Sequence, residues 1–286
     1  MNYFKTAVLL AVLTAILVFF GDVMGGRQGA LVALVFAGFM NFLSYWYSDK
    51  IVLAIYRARP VDEATAPLLC GVVRDLSLKA GMPMPKVYMM ENPTPNAFAT
   101  GRNPNHAAVA VTTGIMQLLN REELAGVIGH ELSHIDNRDI LIATIAATIA
   151  GAISYIAHMA YWASLFGGGR NSEKGGHPLA LLVMMIVAPI AATIIQLAIS
   201  RSREYAADSG GAHITGNPLY LAEALKKLEY YNKRIPMHAV SGETSKATAH
   251  MFIVNPLSGG SFIKLFSTHP PMSERIKRLE AMVGIV

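Results

Sequence analysis

Apolar residues fall into two regimes along this chain. Four stretches are apolar on every face, running from Thr6 to Phe20, Gly29 to Ser48, Ile140 to Phe166 and Pro178 to Ser200. Elsewhere hydrophobic positions recur at helical or strand spacing. A helix needs about 20 apolar residues to cross a hydrocarbon core of roughly 30 Å. The last three stretches meet that length, and the first does so when Val23 and Met24 are added across Asp22. The first stretch could also be a cleaved leader, but no small-residue cleavage site precedes the second, which favours a membrane hairpin. Tyr45, Trp46 and Tyr47 close the second stretch as an interfacial aromatic belt does.

The polar regions read as mixed α and β. The pattern predicts a helix from Pro67 to Ala80, ended by Gly81 as a left-handed cap, and short strands at Lys86 to Met90 and Ala107 to Thr112. A further helix starts at Asn120, where Glu123 three residues on completes a capping box. Beyond the fourth apolar stretch, a helix from Arg201 is expected to stop at Gly210 and Gly211. Another opens at Asn217-Pro218 and runs through Tyr231, and a last one covers Ser273 to Met282. The expected architecture is a mainly α membrane protein, with about four transmembrane helices and an α+β domain outside the membrane. Its parts are an N-terminal hairpin (1–48), a first segment of the domain outside the membrane (49–139), a second hairpin (140–200) and a second segment of that domain (201–286).

Composition agrees with a membrane protein. Charged residues make up 15% of the chain and mean hydropathy is +0.38, against about 25% charged residues in soluble domains. The net charge of +5 forms no nucleic-acid-binding stripe and accompanies no nucleic-acid module. Lys50, Arg57 and Arg59 instead follow the second apolar stretch, and Arg201 and Arg203 follow the fourth. The positive-inside rule then puts the N-terminus and residues 50–139 in the cytoplasm. No phosphate-binding glycine loop is present, so no nucleotide is expected. The single cysteine, Cys70, rules out an internal disulfide and a cysteine-rich zinc site and reads as a core residue.

The chemistry concentrates in His130-Glu131-Leu132-Ser133-His134, on the helix that Asn120 caps. Residues four apart share a helix face, so both imidazoles project toward one point, as two ligands of a tetrahedral zinc must. Glu131 lies on the adjoining face, placed to act as a base on water. By composition alone this pattern would arise by chance on the order of once in a hundred such chains, so its context matters. A catalytic zinc takes three protein ligands. Glu204 is the candidate third, with Asp208 four residues on to receive the free N–H of a ligating histidine. Alone, Arg203, Glu204 and Asp208 would read as a solvated charged face. Two apolar stretches separate His134 from Glu204, and two crossings return the chain to the side it left, as a shared site demands.

With these elements in order, the sequence resembles the HtpX family of membrane zinc endopeptidases, relatives of the prenyl-protein CaaX proteases. The likeness covers the whole chain and includes Asn96-Ala97-Phe98-Ala99-Thr100-Gly101 and Thr268-His269-Pro270-Pro271 with Glu274-Arg275. It implies a gluzincin-like zincin domain with one zinc per chain, held by His130, His134 and Glu204. Glu131 would be the catalytic base, and Asn96, Ala97, Phe98 and Ala99 would form an edge strand lining the substrate cleft. His269 would steady the oxyanion, although a surface histidine is the commoner fate of such a residue. His158, within the third apolar stretch, reads more simply as a buried neutral histidine. Implied substrates are misfolded membrane proteins or unfolded polypeptides, cut under stress at a multi-pass bacterial inner-membrane site that faces the cytoplasm. The alternatives are a CaaX-type processing protease and a non-cutting metal-binding scaffold, against which Glu131 speaks.

Overall fold

The structure, a computed structural model, describes residues 2–145, 201–234, 253 and 270–286. The apolar stretches beyond Ile145, the glycine-rich loop 167–176, His158 and His269 lie outside these residues.

Helix α1 (Asn2–Ile55) cannot be one straight rod. Gly26 has φ +57, and Asn41 Nδ2 donates to Thr14 Oγ1 at 2.9 Å although the two residues are 27 apart in sequence. An unbroken helix would hold them about 40 Å apart. The chain therefore doubles back at Gly26, where glycine tolerates the left-handed backbone. The returning arm, Gly26–Tyr47, is long and apolar enough to cross a membrane, and it is the one such helix among the described residues. Leu31, Val32, Val35, Phe36 and Phe39 along it are exposed.

Next comes a four-stranded sheet built from β1 (Arg59–Pro60), β2 (Lys86–Met90), β3 (Ala97–Gly101) and β4 (Ala107–Thr112), in the order β1-β2-β4-β3. β2 and β4 run parallel, paired Val87 to Val109, while β3 lies antiparallel to β4 with Ala99 opposite Val109. Every residue of β3 and β4 is buried, because both faces of the sheet are covered. One face packs Val87, Val109 and Val111 against α2 (Pro67–Lys79), α4 (Arg121–Asp136) and α6 (Pro218–Arg234). The other packs Met90, Phe98, Ala108 and Ala110 against Val52 and Leu53 of α1. A six-residue helix, α3 (Thr113–Leu118), leads from β4 toward α4.

Local chemistry sets the helix boundaries. α2 ends at Lys79, and Gly81 turns with φ +65. At the start of α4 the Asn120 side chain accepts from Glu123 N at 2.9 Å, while Asn120 N donates to Glu123 Oε2 at 3.0 Å. The expectation that Gly210 and Gly211 end the next helix is corrected: α5 (Arg201–Thr215) runs straight through both. Their role is contact with α4. A Cβ at Gly210 would lie 2.1 Å from Ser133 Oγ, and one at Gly211 would lie 2.7 Å from the His130 backbone nitrogen. α6 continues past Tyr231 to Arg234, and the last helix, α7, spans Met272–Glu280.

Glycine inside a helix normally costs about 1 kcal/mol relative to alanine, so propensity alone makes Gly211→Ala stabilising. The packing predicts the opposite sign, a loss of roughly 1–3 kcal/mol from overpacking. Thermal unfolding in detergent should show a lowered midpoint, and a raised one would refute the close helix contact.

Candidate metal centre and active site

The α4–α5 contact sets the geometry of the site. Its close approach brings His130 and His134 on α4 up to Glu204 on α5. His130 Nε2 and His134 Nε2 are 3.2 Å apart. Glu204 Oε1 lies 3.5 Å from His134 Nε2, and Glu204 Oε2 lies 3.8 Å from His130 Nε2. Donors bound at about 2.1 Å around a tetrahedral ion are separated by roughly 3.4 Å. The observed triangle brackets that value, and these are three residues that could hold a metal ion.

Each imidazole has a carboxylate behind it. His130 Nδ1 is 3.0 Å from Asp208 Oδ1, and His134 Nδ1 is 3.5 Å from Asp139 Oδ2. With Nδ1 protonated and donating, Nε2 keeps its lone pair toward the common point, which is how ligating histidines are oriented. Asp139 gets there through a tight turn. α4 ends at Asp136, Arg138 adopts φ 58, and Asp139 N donates back to His134 O at 2.9 Å.

Arg275, from α7, is fully buried beneath the site. It grips Asp208 with two hydrogen bonds, Nη2 to Oδ1 at 2.6 Å and Nε to Oδ2 at 2.9 Å, and its Nη1 lies 3.8 Å from Glu204. Arg275 Nη2 is also 3.4 Å from His130 Nδ1; with both nitrogens as donors, this is shared contact with Asp208 and not a bond between them. Burial alone would raise the Asp208 carboxyl, but Arg275 and the His130 hydrogen bond override it and hold it at about 2. Burial pushes the Glu131 carboxyl upward, opposed by the two histidines and by the Ala99 N–H that donates to it. Burial works against a charged His134 ring, yet Asp139, Glu204 and Glu131 together raise its pKa.

The balance of charge supports a cation. Glu131, Asp139, Glu204 and Asp208 are all buried, and among the described residues the guanidiniums against them are Arg203 and Arg275. With Glu131 ionised and both imidazoles neutral, as ligation requires, four carboxylates against two guanidiniums leave two negative charges, which a divalent ion would cancel. Buried charge without such compensation is costly. The donor set and its electrostatics therefore fit a divalent metal.

The structure brings His130, Glu131, His134, Glu204 and Asp208 together. It also sets the predicted edge segment beside them: Asn96 precedes β3, and Ala97, Phe98 and Ala99 lie within it. The sequence reading missed Asp139 and Arg275 as neighbours of the ligating atoms. A carboxylate just beyond the motif helix was the available clue to the first, and Arg275 had only its place after His269-Pro270-Pro271.

A profile of peptidase family M48 matches residues 63–283. The chain belongs to peptidase family M48. It is 61% identical over 283 residues to a protease HtpX homolog of Syntrophotalea carbinolica, covering 99% of each chain. It is 62% identical to a protease HtpX homolog of Thermodesulfovibrio yellowstonii, again covering 99% of both. Protease HtpX of Legionella pneumophila is 53% identical, over 98% of this chain and 99% of that one. In fold the chain is similar to Ste24p of S. mikatae, with a TM-score of 0.51 at 16% identity, covering 98% of this chain and 65% of that one. As a member of this family and an HtpX relative along its full length, the chain is a membrane metalloprotease.

Removing one member of the buried ion pair should cost far more than removing both. Asp208→Ala strands Arg275 and should lower stability by about 3–5 kcal/mol. Asp208→Leu combined with Arg275→Met should recover most of that in chemical denaturation. Because the Asp208 carboxyl is depressed, its contribution is complete above the ordinary carboxylate value of 3.8 and fades as pH falls through about 2. Equal losses in the single and double variants would contradict the pairing.

Proposed function

We propose that this chain is a zinc endopeptidase that cuts misfolded or damaged membrane proteins and unfolded polypeptides, with its active site facing the cytoplasm. On this reading His130, His134 and Glu204 hold the zinc, Asp208 and Asp139 orient the two imidazoles, and Glu131 is the catalytic base. The observation that carries it is the convergence of His130, His134 and Glu204, with one ligand atom of each within 4.8 Å of the others, and a buried carboxylate, Glu131, beside them. Zinc, when bound, supplies Lewis acidity that makes water more acidic and polarises a carbonyl.

The protein's own groups do the remaining work. Glu131 takes a proton from the attacking water and delivers it to the leaving nitrogen as the C–N bond breaks, so one carboxylate serves as base and then as acid. Its upward-shifted pKa suits the first half of this role, since a carboxylate nearer neutrality accepts a proton from water more readily than an exposed one, and it remains acidic enough to pass that proton to an amine. Glu131 sits on α4, which packs against β3, the edge strand, so a peptide added to that edge passes beside the base. Membrane placement is supported by the apolar Gly26–Tyr47 arm, and the cytoplasmic side by Lys50, Arg57 and Arg59 after it. Two crossings by each apolar pair remain the arrangement we favour, and oxyanion support by His269 belongs to the same proposal. CaaX-type processing has only the Ste24p likeness behind it, which concerns the fold alone.

Glu131→Gln should keep about one zinc per chain while kcat on a denatured protein falls by roughly 10²–10⁴, the usual worth of a positioned base. Glu204→Ala should lose the metal. Metal analysis beside a casein cleavage assay reads both, and a Glu131→Gln enzyme of normal rate would end the assignment.

A further inference from the structure

The edge strand has a definite direction relative to the membrane helix. Trp46, at the end of the apolar arm of α1, lies under the Arg102 guanidinium at 4.3 Å. Tyr56, just past the end of α1, meets Phe98 with ring centroids 5.6 Å apart. Ten helical residues rise about 15 Å and four strand residues extend about 13 Å, so the end of α1 and β3 run side by side in opposite senses. The Gly101–Arg102 end of β3 therefore lies at the level of Trp46, and the Ala97 end lies farther from the bilayer. A second contact agrees. Thr100 shares a hydrogen bond of 3.1 Å with Thr144, which lies in the helical first residues of the third apolar stretch.

By the alternation of an antiparallel ladder, the backbone groups of β3 that face away from β4 belong to Ala97, Ala99 and Gly101. Ala97 O accepts from Ile253 N at 3.3 Å, so the end far from the membrane is already met by the chain itself. Glu131 stands on α4, the helix that packs against β3. Among the described residues, the part of this edge beyond the Ile253 contact, Ala99 to Gly101, is the membrane-side stretch.

Resting on the protease reading above, we propose that the preferred substrate is a polypeptide segment that follows a transmembrane span, entering from the bilayer with its N-terminal side at Arg102 and its C-terminal side toward Ala97. A strand added to β3 gains the more linear bonds of an antiparallel ladder. Because β3 runs toward the membrane, an antiparallel partner runs away from it. A chain leaving a span in the N-to-C direction already has that polarity, whereas a chain leading into a span has the reverse. Ala99 lies three residues from Arg102, about 10 Å along the strand, so the bond presented to Glu131 lies a few residues beyond the membrane surface.

The test uses the full-length protein in liposomes with two single-span reporters. They carry the same unstructured segment on the active-site side, one after the span and one before it. The segment after the span should be cut at least about tenfold faster, a preference of about 1.4 kcal/mol, with the cut close to the membrane. Equal rates, or faster cutting of the preceding segment, would overturn the polarity. Soluble casein, cleaved by wild type and not by Glu131→Gln, reads the protease assignment separately. Casein cleavage with no reporter preference defeats this inference alone, and loss of both defeats the assignment beneath it.

Discussion

A site shared by two helices depends on how closely their backbones can approach. Imidazoles on α4 and a carboxylate on α5 reach a common point only if the helices touch near His130, and any Cβ there would prevent it. Gly129, Gly210 and Gly211 supply the room: a Cβ at Gly129 would come within 2.9 Å of Thr215, and those at the other two would press on Ser133 and on the His130 backbone. Glycine weakens a helix intrinsically, so three of them at this crossing trade local stability for the distances that define the ligand triangle.

That approach creates an electrostatic problem which the rest of the site answers. Four carboxylates in a buried space repel one another, and the low local dielectric strengthens the repulsion. Arg275 answers part of it from the far end of the chain, tying α7 to Asp208 and so to His130. Arg203, whose Nε lies 4.0 Å from Asp139, answers another part from the residue next to Glu204. Each guanidinium stands against a carboxylate behind an imidazole, Arg275 against Asp208 and Arg203 against Asp139. Orientation of the ligands and neutralisation of the site are therefore one network, and a divalent ion would complete it.

How much of this was legible in the sequence follows from the range of the interactions. The capping box at Asn120, the strands Lys86 to Met90 and Ala107 to Thr112, and the left-handed turn at Gly81 depend on neighbouring residues, and they stand where the pattern puts them. The i, i+4 spacing of Glu204 and Asp208 was equally local. Gly210 and Gly211 misled because a glycine pair means a helix stop or a helix crossing according to what lies opposite, and α4 is 70 or more residues away in sequence. The order β1-β2-β4-β3 was out of reach for the same reason, since β2 pairs with β4 across an intervening strand. Asp139 depended on a left-handed Arg138, a conformation that a non-glycine residue rarely signals. Arg275 depended on tertiary packing altogether.

The second face of the sheet joins catalysis to the membrane more firmly than a tether would. Phe98, Met90, Ala108 and Ala110 are buried against Val52 and Leu53, and among the described residues α1 is the cover that face has. Burying a large apolar side chain contributes about 1.5–3 kcal/mol, so the contact is worth several such increments and is not readily broken. The same sheet carries β3 on its edge, packed against the helix that bears Glu131. A displacement of α1 therefore shifts the strand beside Glu131, and the depth at which α1 sits in a bilayer fixes the height of the cleft above it. The sheet and α1 form one packed unit, so on the proposed reading the distance from lipid to Glu131 follows from the length of β3.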